Sequence, residues 1–133
     1  MREIKFRAWD IVDEVMREVL KIDFDLKVVW LLKYINGEKR AYELEFKDIE
    51  LMQLTGLHDK NGKEIYEGDI VKLFIPVGKI YICIISWDKF NTGFMCNSIK
   101  NDLFLVASGE LIRNGEVIGN IYENPELLKE VKE

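Results

Sequence analysis

The sequence predicts a mainly β protein: an N-terminal β-hairpin lobe over residues 1–50, then a small, partly open barrel over residues 51–133 that ends in a short helix. Three observations carry this. Apolar residues alternate with charged ones along most runs, which is the period of a half-buried strand. Turn residues interrupt those runs at short intervals, and helix signals are confined to brief stretches. An α+β arrangement is the alternative, as is one continuous domain in place of the two lobes. The 133 residues, 48% of them hydrophobic, suffice for a core without a disulfide or metal staple.

Residues 2–10 set Ile4, Phe6 and Ala8 on one face and Lys5 and Arg7 on the other. Acidic residues follow, so a connection over 10–18 is expected before Leu20, Ile22 and Phe24 resume the period of two and complete a hairpin. Residues 28–35 are apolar on both faces; a helix is possible there, but Val28, Val29 and the aromatics favour a strand. Asn36 and Gly37 tolerate positive φ and form a strong hairpin signal, after which Tyr42, Leu44 and Phe46 alternate with Glu43, Glu45 and Lys47. Over residues 48–55 the alternation lapses, which suggests a helical turn or an irregular crossover. The lobe boundary is placed at about residues 50–56.

At residues 58–64 two turns compete. A two-residue loop would oppose Lys60 to Lys63 and Asp59 to Glu64, two like-charge pairs. A three-residue loop with Gly62 in the left-handed bulge opposes Asp59 to Lys63 instead, and is the prediction. Gly68 and Asp69 lead into a strand over 70–75 that stops at Pro76. Residues 79–87, again apolar on both faces, should form a central strand. A turn (88–93), a return strand (94–96), a polar loop (97–102) and an extended run (103–106) follow. Ser108 caps one helical turn with a left-handed exit at Asn114 and Gly115, and the last strand, 117–122, carries Gly119 as a bulge or close approach. Asn124, Pro125 and Glu126 begin the final helix, whose apolar side is Leu127, Leu128 and Val131. This C-terminal series of short strands is read as an SH3-like barrel.

The net charge of −5 and pI of about 5.1 weigh against a surface built to neutralise phosphates. Cys83 and Cys96 lack CxxC spacing and lie in apolar strands, as buried thiols of a reducing compartment do. No apolar run approaches the roughly 20 residues of a membrane helix, and the charged MREIKFR start lacks a signal-peptide core, so an unexported, cytoplasmic protein is expected. The densest set of potential ligands is His58 with Asp59, Glu64, Glu67 and Asp69. It fails as a calcium loop: Gly62 is fourth from Asp59 rather than sixth, and the twelfth residue is Ile70. One histidine excludes the usual zinc hydrolase sets, and no nucleophile or phosphate-binding motif is present. No enzyme activity, metal or cofactor is therefore expected.

Trp87, Phe90 and Phe94 surround one turn with Lys89 among them. In a β-rich chain such aromatics mostly pack at a core or rim; stacking on bases is the sharper and less favoured reading. The two doubly apolar strands need cover, so a homo-oligomer with Trp30 near the contact is expected. Trp30, Trp87, Lys89, Phe90 and Phe94 form the candidate interaction surface.

Three blocks carry a family resemblance: residues 2–10 (REIKFRAWD), 51–71 (LMQLTGLHDKNGKEIYEGDIV) and 116–128 (EVIGNIYENPELL). In order and spacing they resemble the signature blocks of the YopX family of phage and prophage proteins. Leu54 and His58 stand where that family is expected to have tyrosine and lysine. The resemblance implies a small cytoplasmic protein of a bacterial host cell, β-rich and self-associating, with no catalytic residues to carry over. It suggests an accessory protein that acts through contacts with a host or phage protein, and a nucleic-acid-binding module as the alternative.

Overall fold

Residues 1–75, 78–100 and 103–130 are described by the structure, a computed structural model. Among them the protein is mainly β, with two antiparallel sheets of six and five strands and only short helices. Helices of four and five residues leave no helical layer for an α+β fold. No helix of the described residues is long and apolar enough to cross a membrane. The chain divides into two compact units, Ile4–Gln53 and Leu54–Glu133, the latter including Met1–Glu3.

In the first unit β1 (Phe6–Asp10) pairs with β2 (Val15–Asp23), β2 with β3 (Val28–Ile35), and β3 with β4 (Glu38–Glu45). The other side of β1 takes the first half of β5 (Ile49–His58), giving the order β4-β3-β2-β1-β5. The loops 11–14 and 24–27 are built alike. Asp10 Oδ1 accepts the N–H groups of Val12 and Asp13 at 2.9 and 3.0 Å, and Asp23 Oδ1 those of Asp25 and Leu26 at 3.0 and 2.9 Å. Each loop ends on a left-handed residue, Glu14 (φ 54°) or Lys27 (φ 56°). Because neither is glycine, the acidic run hides the end of the turn, and β2 begins at Val15 rather than near Leu20. A register shift between Val19 and Lys21 then breaks the expected series. Leu20 is half exposed and Phe24 lies exposed in the turn, while Val19 and Ile22 pack on the core.

The hairpin at Asn36 (φ 52°) and Gly37 (φ 80°) has the positive φ pair of a type I′ turn. The core of this unit is Ala8, Val29, Leu31 and Ile49, with Tyr42, Leu44 and Phe46 packed against it. Burial of each large aliphatic chain contributes about 1.5–3 kcal/mol. The helical turn expected after residue 48 comes earlier, as a 3-10 turn at Phe46–Asp48, and β5 is one continuous strand. Ile49 and Leu51 on one of its faces and Met52 and Leu54 on the other are at least partly buried, which hides the period of two.

In the second unit the end of β5 pairs with β6 (Glu64–Tyr66). The strands β7 (Asp69–Ile75), β8 (Lys79–Asp88), β9 (Gly93–Ser98) and β10 (Phe104–Val106) form a meander, and β11 (Glu116–Asn120) returns to β7. The order is β10-β9-β8-β7-β11, with β8 central as expected, and the ladder is not closed into a barrel among the described residues. Ile65, Val71, Leu73, Cys83, Ile85, Cys96 and Ile112 form its core.

The bulged three-residue turn is present. Gly62 N–H donates to Asp59 O at 3.0 Å, Asp59 N–H to Lys63 O at 2.9 Å, and Gly62 takes φ 81°. His58 and Glu64 are the ladder pair beyond it, so Lys60 never faces Lys63. Ser108 caps α1 (Gly109–Ile112) by accepting from Leu111 N–H at 3.1 Å. The exit from α1 is not left-handed, since neither Asn114 nor Gly115 has positive φ. Gly115 is needed for space instead: a Cβ there would lie 3.0 Å from Val71 Cγ1 and 3.1 Å from Leu73 Cδ2. Gly119 sits at a register shift in β11 and closely approaches Asn124. Asn124 Oδ1 accepts from Asn120 N–H at 3.1 Å, tying α2 (Glu126–Glu130) back to that strand. The expected strand stop at Pro76, the end of the polar loop at Asn101 and Asp102, and the place of Val131 on the last helix lie outside the described residues.

Candidate functional site

The hairpin between β8 and β9 gathers four of the five expected surface residues. Asp88 closes its loop by accepting the Asn91 N–H at 2.8 Å and the Asn91 side-chain amide at 2.6 Å, and Thr92 (φ 48°) turns the chain into β9. Register sets Trp87 opposite Phe94, with ring centroids 5.2 Å apart and planes at 74°. Phe94 packs on the core of its unit, whereas Trp87 is 50% exposed. Beyond them Phe90 is 86% exposed, with Lys89 Nζ 5.4 Å from its ring centre. An exposed pair of that kind contributes about 0.5–1 kcal/mol. Trp30 belongs to the other unit. It is partly buried on β3, where Lys21, its register partner on β2, places Nζ 4.7 Å over the indole.

The acids around His58 do not converge on a ligand. Asp59, 6% exposed, accepts from the N–H groups of Asn61 and Lys63 through Oδ1 and of Val117 through Oδ2, each at 2.9 Å. Burial pushes its carboxyl up, but the N–H groups of Val117, Lys63 and Asn61 outweigh it and hold the group below the ordinary range. Asp69 accepts from Tyr66 N–H at 2.8 Å and so shapes the turn before β7. His58 is exposed on β5, opposite Glu64. Among the described residues no three His, Cys, Asp or Glu groups are placed to hold a metal ion. Burial pushes the thiols of Cys83 and Cys96 up to about 11 and 12, which removes the thiolate a nucleophile or ligand needs.

Two features escape the sequence reading. In the first unit Tyr42 Oη donates to Asp10 Oδ2 at 2.7 Å, joining β4 to the β1–β2 loop. In the second, Phe74 is 40% exposed on β7 and carries two cations, Lys60 Nζ at 5.1 Å and Lys72 Nζ at 5.6 Å from the ring centre. Beside it lies a cleft of about 250 Å³ lined by Phe74, Ile75, Glu110, Leu111, Arg113 and Asn114. Alternation alone places Phe74 on the face of Lys72; Lys60 reaches it only through the turn geometry at residues 59–63.

Two open antiparallel sheets, turn-forming acids and an exposed aromatic hairpin define a small mainly β protein of two compact units. The chain belongs to the YopX family: the family model described as YopX protein matches residues 5–129, as the three sequence blocks led one to expect. Its fold is similar to that of protein EF1440 from Enterococcus faecalis, a crystal structure, with 32% identity, 96% of this chain and 99% of that one covered, and a TM-score of 0.67. It is likewise similar in fold to the crystal structure of the protein yopX from Bacillus subtilis, with 21% identity, coverage of 96% and 98%, and a TM-score of 0.65. No curated protein matches the chain.

Proposed function

We propose that the chain is a phage- or prophage-encoded accessory protein of the bacterial cytoplasm, a non-enzymatic, self-associating module that binds a host or phage protein. The observation that carries this reading is the β8–β9 hairpin. Phe94 fixes Trp87 from the core side, and Trp87 and Phe90 offer large apolar surface with little rotamer freedom to lose. Engagement of Asp10, Asp59 and Asp69 with main-chain N–H groups supports a structural use for the buried acids. We read the order β10-β9-β8-β7-β11, with α1 before the returning strand, as an SH3-like, partly open barrel whose hairpin ends serve contact. The test is affinity capture from phage-bearing cells with the wild-type chain and with a Trp87→Ala, Phe90→Ala variant, before and after nuclease. A protein retained through nuclease by the wild type and lost from the folded variant is the expected result. Equal capture by both overturns the assignment.

The cleft beside Phe74 favours a second reading, a nucleic-acid-binding module using its barrel face. Phe74 offers a stacking surface, and Lys60, Lys72 and Arg113 offer charge for a backbone. Retention of single-stranded DNA or RNA at low salt, lost with Phe74→Ala, supports it; no retention removes it.

A further inference from the structure

The outer edge of β4 is where the sheet of the first unit leaves main-chain groups open. β3 occupies one side of β4, and among the described residues no strand pairs with the other. The hairpin sets the phase of that edge. A two-residue type I′ loop makes its flanking residues, Ile35 and Glu38, a hydrogen-bonded pair, and Phe46 N–H donates to Lys27 O at 2.9 Å in the same phase. Arg40, Tyr42 and Leu44 therefore direct their main-chain groups to β3, while those of Lys39, Ala41, Glu43 and Glu45 point outward. These four residues are exposed.

Edge strands are commonly blunted by proline, brevity or scattered charge. β4 has eight residues and no proline, and the charges of its outward row are sorted. Lys39 stands at the start of that row and Glu43 and Glu45 at its end, while Glu38 and Arg40, on the other face, pair with each other at 2.6 Å. A second copy approaching in parallel register would set like charges together. Approaching antiparallel, it sets Lys39 of each copy against the acidic end of the other's outward row, and two-fold symmetry makes every such pair occur twice.

We propose that β4 is the self-association surface, pairing antiparallel with β4 of a second copy about a two-fold axis at Ala41 and continuing the sheet from one copy to the next. The inference rests on the oligomeric reading above and names the surface that reading requires. In this register Lys39 opposes Glu43 of the second copy, Arg40 opposes its Tyr42, and the two Ala41 residues face each other without a clash. The register centred on Tyr42 uses the same outward groups and sets Lys39 against Glu45, but leaves Glu43 against Ala41 and Arg40 against Leu44. Trp30 is the register partner of Glu43 on β3, so it lies one strand in from the contact on the face that carries Lys39 and Glu43.

The test is light scattering and sedimentation velocity of the full chain over a dilution series into the micromolar range, with melts showing that every variant is folded. The wild type is expected to associate. Lys39→Glu and Glu43→Lys should each weaken association by about tenfold or more, because each sets like charges opposite at two places. The double variant K39E/E43K should restore it. Ala41→Pro, which removes an outward N–H and leaves the bonds to β3 intact, should give a monomer. A monomeric wild type overturns both this inference and the oligomeric reading. An associating wild type that neither single charge reversal weakens overturns the β4 edge alone, and failure of the double variant to restore association overturns the antiparallel register.

Discussion

Asp59→Asn tests the turn between β5 and β6 in the second unit. The carboxylate has both oxygens engaged, Oδ1 by Asn61 and Lys63 and Oδ2 by Val117, fifty-eight positions on in the chain. An amide keeps one acceptor and turns a donor toward the other N–H, so one charge-assisted bond is lost and a donor is left facing a donor. That amounts to about 2–3 kcal/mol for Asp59→Asn, and Asp59→Ala, which strips all three bonds, should cost roughly 3–5 kcal/mol. At roughly 3 °C per kcal/mol for a chain of this length, Asp59→Asn should melt roughly 6–9 °C lower. The sign of the pH dependence follows from the lowered carboxyl. The stabilisation is full above the unfolded value of about 4 and fades as pH falls from there through the lowered folded value. Denaturant midpoints followed by circular dichroism from neutral pH to about pH 2.5 should show the wild type losing that increment in acid. Asp59→Asn should show a flatter acid limb. A variant with the wild-type midpoint at neutral pH and the same acid limb would refute the argument.

Gly115→Ala should cost about 1–3 kcal/mol, because the added methyl would meet Val71, Leu73 and the Ile112 carbonyl at 3.0–3.1 Å; an unchanged denaturant midpoint would mean the chain simply slides aside. Tyr42→Phe removes the hydroxyl that donates to Asp10 and should cost about 1–2 kcal/mol. Burial first, and then the Asp10 carboxylate, push that phenol up to about 12, so its stabilisation is full below about pH 10 and is lost between there and about 12. Tyrosinate absorbance during alkaline titration reads this, and one tyrosine fewer titrating late is the expected difference in the variant. Cys83 and Cys96 should react with an aromatic disulfide reagent only as fast as the protein opens, and at once in denaturant; rapid reaction of the native chain would contradict their burial. Thr92→Gly relieves a β-branched residue at φ 48° and should raise stability by about 0.5–1 kcal/mol, visible as a higher melting temperature.

How far the fold was legible depended on whether a local rule had a single outcome. Asn36 and Gly37 admit one tight hairpin, and residues 28–35 and 38–45 fall where they require. At residues 59–63 the like-charge pairs Lys60–Lys63 and Asp59–Glu64 of a two-residue loop are a local cost that selects the turn without any tertiary contact, and the bulged form is present. The rules failed where a local bond replaces the usual turn residue. Glu14 takes left-handed backbone that composition alone would give to glycine, in a loop that Asp10 closes by accepting the N–H groups of Val12 and Asp13, so the end of that loop was hidden. β5 was hidden for another reason, since a strand with apolar residues on both faces has no alternation to show.

The candidate site was legible in the opposite sense, because what resembled chemistry was punctuation. Asp10, Asp23 and Asp88 each stand last in a strand, accept main-chain N–H groups two or three residues ahead, and precede a left-handed residue by four positions. Asp59 and Asp69 also hold main-chain N–H groups at the turns on either side of β6, Asp59 those of Asn61 and Lys63 ahead of it and Asp69 that of Tyr66 behind it. A cluster of aspartates in this chain therefore marks where strands reverse, and the crowding of acids around residues 59–69 follows from two reversals in close succession. With those acids assigned, the surfaces proposed above for recognition are exposed ones of another kind: the aromatic tip between β8 and β9, the cation-flanked Phe74, and the charged outer edge of β4. None of the three has a sequence motif. Each depends on which face of a strand is left uncovered, and that is decided by register and not by residue type.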